Sequence, residues 1–177
     1  MRYFLGIDQS YTSTGMVIMD EDREVTHSEI FKTPKDEDVF VRAWNISEKV
    51  VATAKAFGVQ SVSIEGLAFG SVNANATRDL AGLQFLIVSK LRLVEKTPVM
   101  ITAPTSLKKF ATGGGKATKK EMIASLPSDV LELFKSKGFR VTTGLADLTD
   151  AYFLAKKLRD EYADGLRDRK DEKETTT

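Results

Sequence analysis

The 177-residue sequence contains no cysteine and only one histidine. Disulfide bonds, thiolate-bound metals and histidine-rich zinc sites are therefore excluded. Any metal ion in this protein must be bound mainly by oxygen atoms, which favours magnesium, manganese or calcium.

The sequence also has no long hydrophobic run. None approaches the ~20 apolar residues that a membrane-spanning helix needs, and residues 3–7 lead directly to Asp8 without a signal-peptide core, so we expect a cytoplasmic protein. With 42% hydrophobic and 29% charged residues, the chain has enough apolar material for one core. We predict a single domain over residues 1–165 and a polar, disordered tail over residues 166–177.

Hydrophobic periodicity predicts the secondary structure. Period-two and β-branched segments predict strands at residues 3–7, 15–19, 24–31, 60–64 and 98–102. Three- and four-residue spacing predicts helices at residues 39–57, 75–94, 119–125 and 146–162, with Gly58 ending the first. Three strands with short links followed by βαβ units predict an α/β fold, in which a five-stranded mixed sheet is flanked by helices.

Four acidic residues occupy positions that suit a metal site. Asp8 and Glu65 each follow an apolar strand, where side chains of an α/β sheet converge. Asp147 and Asp150 are three residues apart at the start of the last helix, so they share one face of it. Like charges so close together need cations to neutralise them, and paired divalent ions would serve phosphodiester cleavage.

Each of these acids except Glu65 also has a purely structural interpretation. Asp147 suits a helix N-cap, Asp150 suits the first turn of a helix, and Asp8 suits a turn. Glu65 has no obvious packing role, because it lies between an apolar strand and Gly66.

The positive charge is concentrated in one short segment. Five lysines (Lys108, Lys109, Lys116, Lys119 and Lys120) surround three consecutive glycines at residues 113–115. Glycines permit close backbone approach to a phosphate and lysines supply charge, so the segment is a candidate DNA-binding surface. The alternative is a flexible surface loop with solvated lysines.

The predicted helix at residues 75–94 is apolar on nearly all of its surface. Leu80, Leu83, Ile87 and Leu91 form one stripe, and Phe85 lies among the apolar residues outside it. Such a helix is buried on more than one side. Its second face would be covered either inside the domain or by a second copy across a two-fold axis.

Five motifs in this order resemble the RuvC family of Holliday junction resolvases, which has a ribonuclease-H-like fold. They are LGIDQS at residues 5–10, IEG at 64–66, APTSLK at 103–108, TGGGKATK at 112–119 and ADLTDA at 146–151. The resemblance spans about residues 3 to 158 and is closest to the small phage-encoded branch, which would place the protein in the host cytoplasm.

The resemblance implies a homodimeric endonuclease that resolves four-way DNA junctions by paired symmetric nicking. Asp8, Glu65, Asp147 and Asp150 would bind two Mg²⁺ ions, with Mn²⁺ able to substitute, and Lys119 would join them in catalysis. Lys108, like Lys119, would lie near the scissile phosphate. The helix at residues 75–94 would form the dimer contact.

Two positions depart from the bacterial members of that family. Gln9 and Ser10 replace the usual Pro-Gly after the first aspartate. The aromatic residue that would wedge into the junction is expected at Ala68, but here Phe69 comes one position later and is the candidate for DNA contact.

The same residues are compatible with other functions. The segment at residues 6–15 also resembles the phosphate loop of the ATP-binding actin, sugar-kinase and chaperone superfamily, although 177 residues hold only one of the two domains that such proteins need. A nuclease of this fold acting on other branched or single-stranded DNA, or on RNA–DNA hybrids, would use the same metal site. A proofreading exonuclease is disfavoured by Ser10, where that family has an acid. A non-catalytic DNA-binding module is disfavoured by the four acids, which would only repel one another.

Overall fold

The computed structural model describes residues 1–67 and 74–174. Its sheet has five strands, β1 (Tyr3–Asp8), β2 (Thr14–Asp20), β3 (Val25–Phe31), β4 (Ser61–Glu65) and β5 (Val99–Thr102). They lie in the order β3-β2-β1-β4-β5. The pairs β1–β2 and β2–β3 are antiparallel, whereas β4 runs parallel to both β1 and β5. The predicted mixed α/β sheet is confirmed.

Six α-helices accompany the sheet in the described residues. They are α1 (Val39–Phe57), α2 (Ala74–Ser89), α3 (Pro104–Thr112), α4 (Lys119–Ala124), α5 (Ser128–Ser136) and α6 (Leu145–Glu174). A π-helical turn, Lys90–Val94, continues α2, and a short 3₁₀ turn, Val141–Thr143, precedes α6. Asp38 accepts backbone hydrogen bonds at the start of α1, and Gly58 ends that helix with a left-handed φ of 58°, as predicted.

Three helices differ from the sequence-based expectation. Helix α3 was not predicted, although Pro104 at its first turn is a recognised helix-start signal. Helix α5 was also missed, since only Val130 and Phe134 give it a buried stripe. Helix α6 continues to Glu174, well beyond the predicted end at residue 162, so the predicted disordered tail has helical backbone over residues 166–174.

Each face of the sheet carries its own core. On one face, strand residues such as Leu5 and Ile7 pack with Ile46 of α1 and Leu83 of α2. On the other face, α3 to α6 pack together and against Val17 and Met19 of β2. No helix in the described part of the chain is long and apolar enough to cross a membrane.

Candidate active site

Two of the predicted acids end neighbouring parallel strands. Asp8 is the last residue of β1 and Glu65 is the last residue of β4. The strand register pairs Ile7 with Ile64, which brings the next residues, Asp8 and Glu65, side by side. Their carboxyl groups are close enough for the charge of Glu65 to raise the pKa of Asp8. The convergence of these two acids at one edge of the sheet therefore agrees with the sequence pattern.

Helix α6 brings the other two acids to this edge because two strand glycines let it lie against the sheet. A Cβ atom added to Gly6 would lie 1.9 Å from the backbone oxygen of Ala151, and one added to Gly15 would lie 2.5 Å from that of Asp147. No larger residue fits at either position without moving the helix. Asp147 and Asp150 are consequently within electrostatic reach of Asp8.

Burial and mutual repulsion make three of these acids hard to ionise. Burial, followed by the charges of Glu65, Asp150 and Asp147, holds the pKa of Asp8 well above its usual range. Burial and the charge of Asp150 raise the pKa of Glu65 to about 7. Burial is again the largest cause for Asp150, whose pKa rises to about 6. A buried carboxylate cluster of this kind favours a bound proton or a cation over free negative charge.

The donor set fits a hard divalent cation, because the acidic cluster offers oxygen ligands and the nearby protein groups do not fully neutralise it. Within the ranges 1–67 and 74–174, no three His, Asp or Glu side chains are already arranged as a metal-binding group. The acids act on one another through their charges.

The surroundings of Asp147 differ from those of a helix N-cap. Asp147 lies in the first turn of α6 and is not its N-cap. Its carboxylate accepts a hydrogen bond from the hydroxyl of Ser13 in the β1–β2 connection. Gly144 precedes the helix with a left-handed φ of 106°, and its carbonyl accepts from the backbone N–H of Leu148.

Two of the five predicted lysines lie close to the acids. Lys108 on α3 and Lys119, the first residue of α4, both act to lower the pKa of Glu65 and of Asp150. Lys119 also acts on Asp8. Lys109, Lys116 and Lys120 are exposed, and no charge interaction between them and the acids is resolved in the described residues.

The glycine-rich segment is a hydrogen-bonded turn between α3 and α4. Gly113 ends α3 with a left-handed φ of 83°, and its N–H donates to the carbonyl of Lys109 over 2.8 Å. The hydroxyl of Thr112 accepts from the N–H of Gly114. This geometry gives at least Gly113 a structural reason to be glycine, while phosphate contact by the segment stays a prediction.

Two glutamines beside the acids were not predicted as site residues. The side-chain amide of Gln9 donates to the backbone carbonyl of Glu65 over 3.2 Å, and that of Gln84 donates to the same oxygen over 2.7 Å. Gln9 was noted only as a departure from a family motif, and Gln84 lies in a helix where it looks like an ordinary polar residue. The predicted DNA-contacting Phe69 lies outside the described residues.

A five-stranded mixed sheet with carboxylates at its edge and on the last helix has the architecture of a ribonuclease-H-like nuclease. Residues 4–150 match the family described as "Crossover junction endodeoxyribonuclease RuvC". The match covers most of the chain, so the protein belongs to this family and is a junction-resolving endonuclease. A comparison with curated protein sequences finds no match.

Solved structures agree on the fold. Thermus thermophilus RuvC in complex with Holliday junction substrate is 18% identical, with a TM-score of 0.66, over 88% of this chain and 90% of that one. The yeast mitochondrial Holliday junction resolvase is 16% identical, with a TM-score of 0.63, over 86% and 75%. The fowlpox virus resolvase in complex with Holliday junction DNA is 14% identical, with a TM-score of 0.57, over 89% and 99%.

Proposed function

We propose that the chain resolves four-way DNA junctions by paired symmetric nicking, using Asp8, Glu65, Asp147 and Asp150 to bind two Mg²⁺ ions. The observation that carries this proposal is the burial of acids with raised pKa values at one edge of the sheet. Nucleases of this family require divalent metal ions, and oxygen-only ligands favour Mg²⁺, with Mn²⁺ as a substitute.

The acids and lysines would divide the work of hydrolysis. A divalent ion bound here supplies an activated water and neutralises the oxygen that leaves the scissile phosphodiester. Asp8 and Glu65, which lie at strand ends, would hold ligand oxygens on the rigid sheet. The charges of Lys108 and Lys119 act on Glu65 and Asp150, so both lysines are close enough to the acids to attract a phosphate, and we propose Lys119 as a catalytic group.

The substrate proposal rests on family membership and on the surface around the acids. Two relatives of the same fold, from Thermus thermophilus and fowlpox virus, have been solved with Holliday junctions. Lys109, Lys116 and Lys120 are exposed, as contact with a DNA backbone requires. Contact between Phe69 and the junction stays a prediction, as do the cytoplasmic location and the phage origin.

We propose that the protein is a homodimer and that the outer face of α2 and its π-helical turn forms the contact. Phe85 is 77% exposed, and Leu93 and Val94 are each 69% exposed. Trp44 of α1 is 54% exposed and lies beneath Lys90, whose ammonium is 3.3 Å from the ring centroid. A patch of large apolar side chains in water favours association, and a two-fold axis lets one patch cover its copy.

The proposed function can be tested with a synthetic four-way junction, a fork, an RNA–DNA hybrid and a linear duplex, each incubated with Mg²⁺. We expect symmetric nicks confined to the junction. Glu65→Gln or Asp8→Asn should reduce cleavage by roughly a thousandfold or more while leaving junction binding largely intact, because the lysines are unchanged. Equal cutting of all four substrates would refute junction selectivity, and normal cutting by either variant would refute the site.

A further inference from the structure

We infer that Gln9 and Gln84 are positioning residues that hold the Glu65 backbone, and through it the Glu65 carboxylate, in place for metal binding and cleavage. This inference rests on the proposed function. Both side-chain amides donate to the same oxygen, the backbone carbonyl of Glu65, over 3.2 and 2.7 Å. They reach it from different elements, since Gln9 follows β1 and Gln84 lies on α2.

The carbonyl needs such donors because the β1–β4 pairing ends one residue too early. The last pair of that ladder is Ile7 with Ile64. On its other side, Glu65 is still paired with Thr102 of β5, and the next N–H, that of Gly66, donates to Thr102 over 2.7 Å. The Gln9 amide therefore extends the pairing on the β1 side with a side-chain donor.

The position of this backbone matters because Glu65 is the last strand residue before a glycine. Gly66 has a wide range of allowed backbone conformations, and the peptide between Glu65 and Gly66 is held on the β5 side by the Gly66 N–H bond to Thr102. Rotation of the peptide that follows Glu65 would accompany movement of its side chain. Two amide hydrogen bonds to one carbonyl oppose that rotation, and metal sites lose affinity when the partners that orient their ligands are removed.

The buried side chain of Gln9 destabilises the fold through one unpaired oxygen. A positioning role of Gln9 can therefore be distinguished from a role in stability. Gln9 is only 6% exposed, and its Oε1 atom is buried with no hydrogen-bond partner in the described part of the chain. An unpaired buried acceptor destabilises a fold. Replacing Gln9 by the similarly shaped Met removes both the donated hydrogen bond and the unpaired oxygen. The free energy of unfolding of the Gln9→Met variant should therefore change little or rise, even though its junction cleavage declines.

The test uses the variants Gln9→Met, Gln84→Met and the double variant, with the exposed Gln60→Met as the matched control. Gln60 precedes β4 at the opposite end of that strand. Three quantities are measured for each: the junction cleavage rate against Mg²⁺ concentration, junction binding, and the rise in melting temperature on adding Mn²⁺ without DNA. Gln84→Asn, which keeps an amide on a shorter side chain, replaces Gln84→Met if that variant does not fold.

Each single variant should raise the Mg²⁺ concentration for half-maximal cleavage about fivefold, the effect of one lost hydrogen bond. The double variant should raise this Mg²⁺ concentration by more than the product of the two single effects, because each single variant retains one amide on the carbonyl. Junction binding and the Gln60→Met control should match the wild type. The Mn²⁺-induced rise in melting temperature should be smaller in each single variant than in the wild type, and smallest in the double variant.

Two results would overturn the inference. One is a double variant with the Mg²⁺ dependence and the Mn²⁺-induced melting shift of the wild type. The other is a loss of activity that only follows a loss of metal-free stability, which would make the amides ordinary structural groups. A wild-type chain that leaves junctions intact would instead refute the proposed function, and the Mn²⁺ melting shifts would still report whether the amides position Glu65.

Discussion

Helices α6 and α2 both lie beside the acidic cluster, but they contact the sheet in different ways. Helix α6 touches strand backbone directly, since Gly6 and Gly15 leave no room for a side chain between them. Helix α2 is held by apolar side chains such as Leu83 and Ile87, and its Phe85 points into solvent with 77% of the residue exposed.

The difference indicates that the two helices serve the site differently. Contact between backbones leaves little freedom, so α6 can hold Asp147 and Asp150 at a set distance from the strand acids without a partner. Packing through side chains is more adjustable. Helix α2 contributes Gln84 on its inner side and a large apolar surface on its outer side, which we propose is completed by a second copy of the chain.

The largest expected effect comes from breaking the contact between α6 and the strands. In Gly6→Ala, the new Cβ would lie 1.9 Å from the Ala151 oxygen, so helix and strand must separate. We expect a loss of roughly 3 kcal/mol or more in the free energy of unfolding, at the upper end of overpacking costs. Junction cleavage should fall to background, because Asp147 and Asp150 move with the helix. Chemical denaturation and a cleavage assay measure the two effects.

Gly82→Ala on α2 provides the matched control. No atom lies within 4 Å of a Cβ added there, and alanine is favoured over glycine in a helix by up to about 1 kcal/mol. This variant should fold at least as well as the wild type. A destabilised Gly82→Ala together with a normal Gly6→Ala would reverse the comparison between the two helices.

Much of this arrangement was predictable from the sequence, because strand ends and helix periodicity are local properties. Asp8 and Glu65 end apolar segments, and Asp147 and Asp150 share a helix face, so their convergence follows from the fold class. The role of Gly6 and Gly15 was not predictable in the same way. It depends on where α6 crosses β1 and β2, which is a property of the tertiary packing.

The outer face of α2 is tested by placing a charge on it. Phe85→Glu should leave the monomer folded, since the side chain is exposed, but should weaken a dimer formed through this face. A central aromatic residue of an interface contributes about 2 kcal/mol or more, so the dimer dissociation constant should rise roughly thirtyfold or more. Analytical ultracentrifugation at several concentrations measures the change.

Val141→Glu is the control for this substitution. Val141 is 68% exposed but lies on the 3₁₀ turn before α6, so a charge there should leave the association constant unchanged. Dissociation by Val141→Glu and not by Phe85→Glu would move the interface away from α2. A wild-type chain that is monomeric at every concentration would rule out the homodimer.

The contact between Gln84 of α2 and the Glu65 carbonyl was not predictable from the sequence pattern. Gln84 lies between Leu83 and Phe85, and its spacing carries no sign of a contact with β4.

Helix α3 was missed for a different reason. Its Pro104 belongs to a motif for which no secondary structure was predicted, and its buried stripe is short, with Leu107 as its buried residue. Short helices held mainly by tertiary contacts give a weak periodic signal.

The smallest expected effect concerns the negative charge of Asp150 on α6. The pKa of Asp150 is raised to about 6, chiefly by burial, so the folded chain holds this proton more tightly than the unfolded chain. That stabilisation is complete below pH ~4 and is lost as the pH rises through about 6. Asp150→Asn should therefore raise metal-free stability at pH 8 by about 1 to 2 kcal/mol, with no gain near pH 4.

Magnesium should make the wild type more stable than Asp150→Asn at pH 8. A cation bound at the acids stabilises the wild type at pH 8 by linkage, whereas Asp150→Asn has lost a ligand and should respond less. Asp22→Asn, at an exposed turn between β2 and β3, should change neither quantity. If Asp150→Asn were less stable than the wild type in metal-free buffer at pH 8, the negative charge of Asp150 would not oppose folding. Helix α6 would then hold its acids at the sheet without strain, and the need for a cation would have to come from Asp8 and Glu65 alone.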